Sequence, residues 1–167
     1  GFVLELLRRV HPVMGRLMTP VVGFLRITPI LALLYFLYFV LPYYGVSLPA
    51  VAIGISTLAL HYAGYLAEVF KGAINSIPRG QFEASAALGL RGWHTSLLVV
   101  LPQGVRNAAP AASNYVLSIL KSTPYLAVIA VPEMLGTALD AAADSFRYVE
   151  PMAVVGVRLV FVAHDSI

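Results

Sequence analysis

His164, Asp165 and Ser166 are the residue types of a nucleophilic triad, but they stand side by side. Consecutive side chains diverge, so these three cannot assemble one. His11, His61, His94 and His164 show no metal-ligand spacing, and with no cysteine there is neither a thiolate site nor a disulfide. No Gly-Lys-Ser/Thr phosphate loop occurs, so the chain does not bind ATP by that route. These absences argue against a hydrolase; no catalytic residue, bound cofactor or metal is expected. Recognition of a polar ligand is the chemistry left. Thr57, His61, Tyr65 and Glu68 recur at steps of four, four and three, which puts them on one helix face. Asn107, Ala111, Asn114, Ser118 and Lys121 form a second such stripe. Two polar stripes on facing helices would line a passage, or would cross-link helices with Lys121 snorkelling to an interface.

The elements that carry these stripes are membrane helices by composition. Of 167 residues, 59% are hydrophobic and only 11% charged, and the mean hydropathy is +0.83. A soluble domain carries about a quarter charged residues. The net charge of +3 is too small and scattered for nucleic-acid binding. The first apolar block, Thr28 to Tyr44, is long enough to span when extended back to Val21, since roughly 20 residues cross the hydrocarbon core. A second helix is expected from Pro49 to Ile74, stopped at Ile77-Pro78. A third runs from Val105 to Leu120, followed after Pro124 by a short, partly embedded helix. Gly136 to Glu150 reads as a polar loop, and Met152 to Ala163 as a last apolar block holding Arg158. The expectation is one all-α domain with three full spans and one incomplete span. The opening "GFVLELLRR" lacks the charge order of a secretory signal and reads as the tail of an earlier membrane helix, so the chain reads as a fragment.

Loop charges set orientation. Arg8, Arg9 and Arg16 precede the first span, and Lys71, Arg79, Arg91 and Arg106 bracket the loop after the second. Glu133, Asp140, Asp144 and Glu150 follow the third span against Arg147 alone. Positive charge stays inside, so the first two regions are cytoplasmic. Single cysteines between Thr137 and Arg147 should therefore react with a membrane-impermeant thiol reagent in intact cells, while those between Gly80 and His94 stay unlabelled. The opposite pattern would invert the topology.

The cytoplasmic loop carries "EASAALGLRGWHTSLLVVLP", Glu83 to Pro102. Glu83 to Leu88 are good helix formers, and Gly89 sits where a left-handed cap is needed. Trp93 to Leu101 starts a second helix. The resulting knob suits a partner's groove, or is an ordinary loop.

Glu83-Ala84-Ser85, Gly89, Val99 and Leu101-Pro102 resemble the EAA signature of binding-protein-dependent ABC importer permeases, with Ser85 for Ala and Val99 for Ile. "RITPILALLYFLYFVLP", "YLAEVFKGAINSIPRGQFEA" and "LPQGVRNAAPAASN" are similar to the polar amino-acid branch, which serves histidine, glutamate, glutamine, arginine and opine importers. The resemblance covers roughly Arg8 to Arg158. It departs at Lys121-Ser122, where that branch usually has Lys-Asp, and at the last span, which normally continues apolar. It implies a polytopic helical bundle like the type I importer transmembrane domain (MetI-like), lacking most of the first span and the end of the last. Residues 79–102 would be its coupling loop, with Glu83, Ala84, Ser85, Gly89, Leu101 and Pro102 at the ATPase contact. His61, Glu68, Asn114, Ser118 and Lys121 are the candidate substrate pathway. The implied setting is the bacterial inner membrane, crossed several times. The implied partners are two ABC ATPase subunits carrying ATP and Mg, a second permease subunit (identical or a paralogue) and an extracytoplasmic binding protein. The implied function is ATP-driven uptake of a polar amino acid by alternating access; the rival is a truncated structural subunit without transport.

Overall fold

A computed structural model describes residues 1–10 and 12–164. His11, Asp165, Ser166 and the side chain of His164 therefore lie outside the described residues, and so does the triad arrangement considered above.

The described residues are helical, without a strand among them. Helices α1 (Phe2–Val10) and α2 (Pro12–Ile27) open the chain. Helix α3 (Ile30–Tyr35) runs on through a π segment, Phe36–Val40, and a 3-10 turn, Leu41–Tyr44. Helix α4 is Ala50–Asn75 and α5 is Arg79–Ala87. The short α6 (Gly92–His94) continues through a π segment, Thr95–Val100, into α7 (Leu101–Lys121). A 3-10 turn, Thr123–Ile129, leads to α8 (Met134–Ser145) and α9 (Val149–His164).

Helix α4 alone is long and apolar enough to cross a membrane unaided among the described residues, and the number rises to three if each of two broken helix pairs is one span. The first span does not run unbroken from Val21 to Tyr44. The helix stops at Ile27 and restarts at Ile30, with Pro29 extended at φ −58 and ψ 138. Proline lacks an N–H and pushes the residue before it out of the α region, so Thr28-Pro29 breaks what hydropathy alone joins.

Two other prolines are passed without a break. Leu41 N–H donates to Phe36 O and Leu101 N–H to Ser96 O, each five residues back. Each bond closes a wide turn directly before Pro42 or Pro102. The proline ring would strike the carbonyl four residues back in a regular α-helix. The wide turn relieves that contact, and Gly92 to Lys121 stays helical throughout. The second helix of the 79–102 segment is thus the start of α7 rather than a separate surface piece.

The polar stretch from Gly136 to Glu150 is mostly helix, not loop. Glu133 caps α8, its carboxylate accepting from the N–H groups of Leu135 and Gly136. Phe146, at φ 54, ends the helix in a left-handed cap.

The chain forms two compact units: Gly1–Ile27 with Tyr62–Asn114, and Thr28–His61 with Tyr115–Ile167. In the first, α2 crosses α4 closely at Gly64, where a Cβ would come within 3.0 Å of Leu25 Cβ and 3.3 Å of Val22 O. Val22 and Leu25 are buried there. In the second, Leu34, Ile53 and Ile129 form the core, with Leu126 seated over Gly54. Arg158 of α9 is exposed and lines a cavity of about 330 Å³ with Pro151, Val154 and Val155 of its own helix and Met134 and Thr137 of α8.

Candidate functional site

Helix α5 starts after Pro78 (φ −58, ψ 140), as the Ile77-Pro78 stop predicts, and is longer than the turn and a half read from Glu83. Its end is a Schellman motif. Gly89 takes φ +69, Leu90 N–H donates to Ser85 O at 3.0 Å, and Gly89 N–H donates to Ala86 O at 2.9 Å. This pairing satisfies carbonyls that the helix end would otherwise leave open.

Ser85 faces inward at 3% exposure, its hydroxyl donating to Gln81 O at 2.7 Å. A small residue is needed there, and the hydroxyl that replaces a methyl hydrogen finds its acceptor within the helix. Glu83 and Ala84 are exposed, as are Phe82, Leu88 and Trp93. The segment therefore presents one carboxylate amid large apolar side chains. Gln103 Nε2 donates to Gln81 Oε1 at 3.1 Å and to Val99 O at 3.1 Å, which ties α5 to the beginning of α7. Leu101 is half-buried and Pro102 exposed beside it. The cap and this amide pair thus hold α5 against the start of a long helix.

The two polar stripes divide by role. Thr57 is buried and its hydroxyl donates to Ile53 O at 2.8 Å, within its own helix. Tyr65 OH donates to Arg26 O at 3.0 Å, and the Arg26 guanidinium lies 5.8 Å from the Tyr65 ring centre. Asn107 donates to Ser76 Oγ at 3.1 Å. The bond of Thr57 stays within α4, whereas those of Tyr65 and Asn107 tie α2 to α4 and α7 to the turn after α4. Glu68 accepts from Arg8 Nη1 at 2.7 Å and from Lys71 Nζ at 3.5 Å, joining α1 to α4. Two glycines of the same helix differ: Gly64 is packed, while a Cβ at Gly72 would meet open space.

His61 and Ser118 are half-buried, and Asn114 and Lys121 are exposed. Ser122, in place of the branch's Asp, is buried and donates from its hydroxyl to Ser118 O at 2.9 Å. Lys121 closes the last turn of α7, where the helix dipole favours a cation. Glu68 and Asn114 belong to the first unit, and His61, Ser118 and Lys121 to the second.

Sequence reasoning missed the partners of Glu68. Glu5 is 2% exposed and is bonded by Arg9 Nε at 2.6 Å, with Arg8 Nη1 at 3.4 Å. Arg9 also donates to Asn75 Oδ1 at 2.8 Å. For Glu5 the available signal was a carboxylate in an apolar helix with arginines three and four residues on; the pairing of Arg8 with Glu68 has no such local mark.

Residues 1–163 match the family described as binding-protein-dependent transport system inner membrane component, and the chain belongs to that family of ABC permease subunits, which are transporter components rather than enzymes. Among its relatives, the probable amino-acid ABC transporter permease protein y4tG of Sinorhizobium fredii (strain NBRC 101917 / NGR234) is 40% identical over 81% of this chain and 58% of its own length. YckA of Bacillus subtilis (strain 168), a probable amino-acid ABC transporter permease protein, is 39% identical over 76% of this chain and 56% of its own. The glutamine transport system permease protein GlnP of Escherichia coli (strain K12) is 33% identical over 80% of this chain and 62% of its own. The chain thus spans under two thirds of these relatives. The crystal structure of an amino acid ABC transporter with histidines superposes with a TM-score of 0.89 at 25% identity, covering 99% of this chain and 78% of that one. That likeness bears out the all-α, MetI-like architecture expected from the resemblance.

Proposed function

We propose that the chain is the membrane-spanning permease part of an ATP-driven importer that carries a polar amino acid inward by alternating access. The observation that carries this reading is the capped knob: α5 ends in a left-handed Gly89, exposes Glu83, Phe82 and Leu88, and is bonded to the start of α7. A helix of this form seats in a groove of a partner. The partner is an ABC ATPase subunit, present twice, which holds the ATP and Mg. Glu83, Ala84, Ser85, Gly89, Leu101 and Pro102 form or support the contact. A second permease subunit, an extracytoplasmic binding protein and the lipid of a bacterial inner membrane complete the setting. The amino-acid relatives support the substrate class.

His61, Asn114, Ser118 and Lys121 are the candidates to meet substrate; Glu68, the fifth, is bonded to Arg8 and Lys71. Lys121 would bind a substrate carboxylate. Losing such a charged hydrogen bond costs about 1.5–3 kcal/mol, or roughly 10- to 150-fold in affinity. The test is uptake of radiolabelled polar amino acids by proteoliposomes holding the permease, its ATPase and its binding protein. Uptake should require internal ATP, and Lys121→Met should reduce it severely with assembly intact. Unchanged uptake in both Lys121→Met and Asn114→Ala would return these residues to helix cross-linking. ATP-independent uptake would refute the importer reading.

A further inference from the structure

One cavity of the first unit shares no lining residue with the knob or with the candidate substrate residues. It is an open cleft of about 630 Å³, lined by Glu5, Arg8, Arg9, Arg16, Lys71 and Asn75, with Thr19 and Pro20 on α2. The charges there do not balance. Arg8, Arg9, Arg16 and Lys71 face Glu5 and the adjoining Glu68, a surplus of two positive charges. Arg8 and Arg9 are held by the two carboxylates and Asn75. Arg16 is exposed and makes no ion pair among the described residues. Lys71 is 42% exposed, and its 3.5 Å contact with Glu68 uses one of the three N–H donors of the ammonium, leaving two for the cleft. Arg16 and Lys71 therefore offer a guanidinium fork and an ammonium to an anion, the donor pair that suits a phosphate group.

We infer that this cleft binds the phosphate of an anionic lipid headgroup at the cytoplasmic interface. The source follows from what adjoins it. Val13, Leu17, Val21 and Phe24 are all exposed on α2 at steps of four, four and three, an apolar track beginning beside Arg16. Acyl chains laid on that track place the headgroup over the cleft. Positive charge before the first span puts the cleft at the inner leaflet, where anionic lipids make the surface negative. A free phosphate has no use for the apolar track.

Native mass spectrometry of the purified chain, titrated with phosphatidylglycerol or phosphatidylcholine in detergent, tests this without any transport step. One phosphatidylglycerol per chain is expected, retained well above phosphatidylcholine. Arg16→Gln should weaken it about tenfold, the loss of one charged hydrogen bond. Lys71→Gln, on a different helix, should weaken it comparably, and Arg147→Gln, outside the cleft, should not. No preference for phosphatidylglycerol, or equal retention in Arg16→Gln and Lys71→Gln with helical circular dichroism intact, overturns the site. Full displacement by millimolar inorganic phosphate would assign the cleft to a soluble phosphate and overturn the lipid.

Discussion

Uptake by the reconstituted transporter is expected to collapse in Gly89→Val, with membrane insertion unchanged. A Cβ at Gly89 meets nothing within 4 Å in this chain, so crowding by its own neighbours does not account for the defect. It comes from φ +69, which a β-branched residue strongly resists. The strain is about 2 kcal/mol, enough to depopulate the native turn roughly thirtyfold. Gly89→Asn is the sharp control, because Asn visits the left-handed region and should keep most of the activity. Hydrogen exchange reads the same turn without transport. The Gly89 and Leu90 amides, which donate to Ala86 and Ser85, should lose protection in the Val variant and keep it in the Asn variant. Protected amides and normal uptake in Gly89→Val would remove the cap from the mechanism.

Arg8→Met is expected to be the most destabilising single change in the first unit. The Arg8 side chain is 10% exposed and lies between Glu5, at 3%, and Glu68, at 28%. Removing it leaves Glu5 buried beside Arg9 alone and takes from Glu68 its 2.7 Å partner. Removing one member of a buried ion pair costs about 3–5 kcal/mol, because the remaining charge is left without compensation. Denaturant titration of the detergent-solubilised chain, followed by circular dichroism, should show a loss of that size. The double variant with Glu68→Gln should recover part of it, since neutralising the carboxylate removes one stranded charge. A loss under about 0.5 kcal/mol for Arg8→Met would class the contact with surface pairs.

Local chemistry made much of this fold legible. Pro49 and Pro78 bracket α4 to within a few residues, and Gly89 takes the conformation its place in the motif requires. Hydropathy misled where backbone chemistry overruled it. Val21 to Tyr44 looks continuous as an apolar run, yet Pro29 divides it. The converse error fell at Gly136 to Glu150. Asp140 and Asp144 suggested a loop, but both are exposed on a helix that Glu133 caps and Ala141 to Ala143 favour. For the candidate site, the exposed knob was readable because its residues are consecutive. Glu68 was not, because its partner Arg8 lies 60 residues away in sequence and no local rule pairs them.

The wide turn at Thr95–Val100 also changes how this helix keeps phase. Each residue advances a regular α-helix by about 100°, so one residue gained or lost swings everything beyond it to another face. A π segment is in effect one residue accommodated without breaking the rod. The faces presented by Trp93 and His94 are consequently out of register with a wheel drawn back from Gly104 and Ala108, which are buried together on α7. A related chain one residue shorter between Thr95 and Val100 would run as regular α-helix there and still present both ends of the rod to the same sides, so the wide turn is where this helix absorbs a change of length without re-aiming its ends.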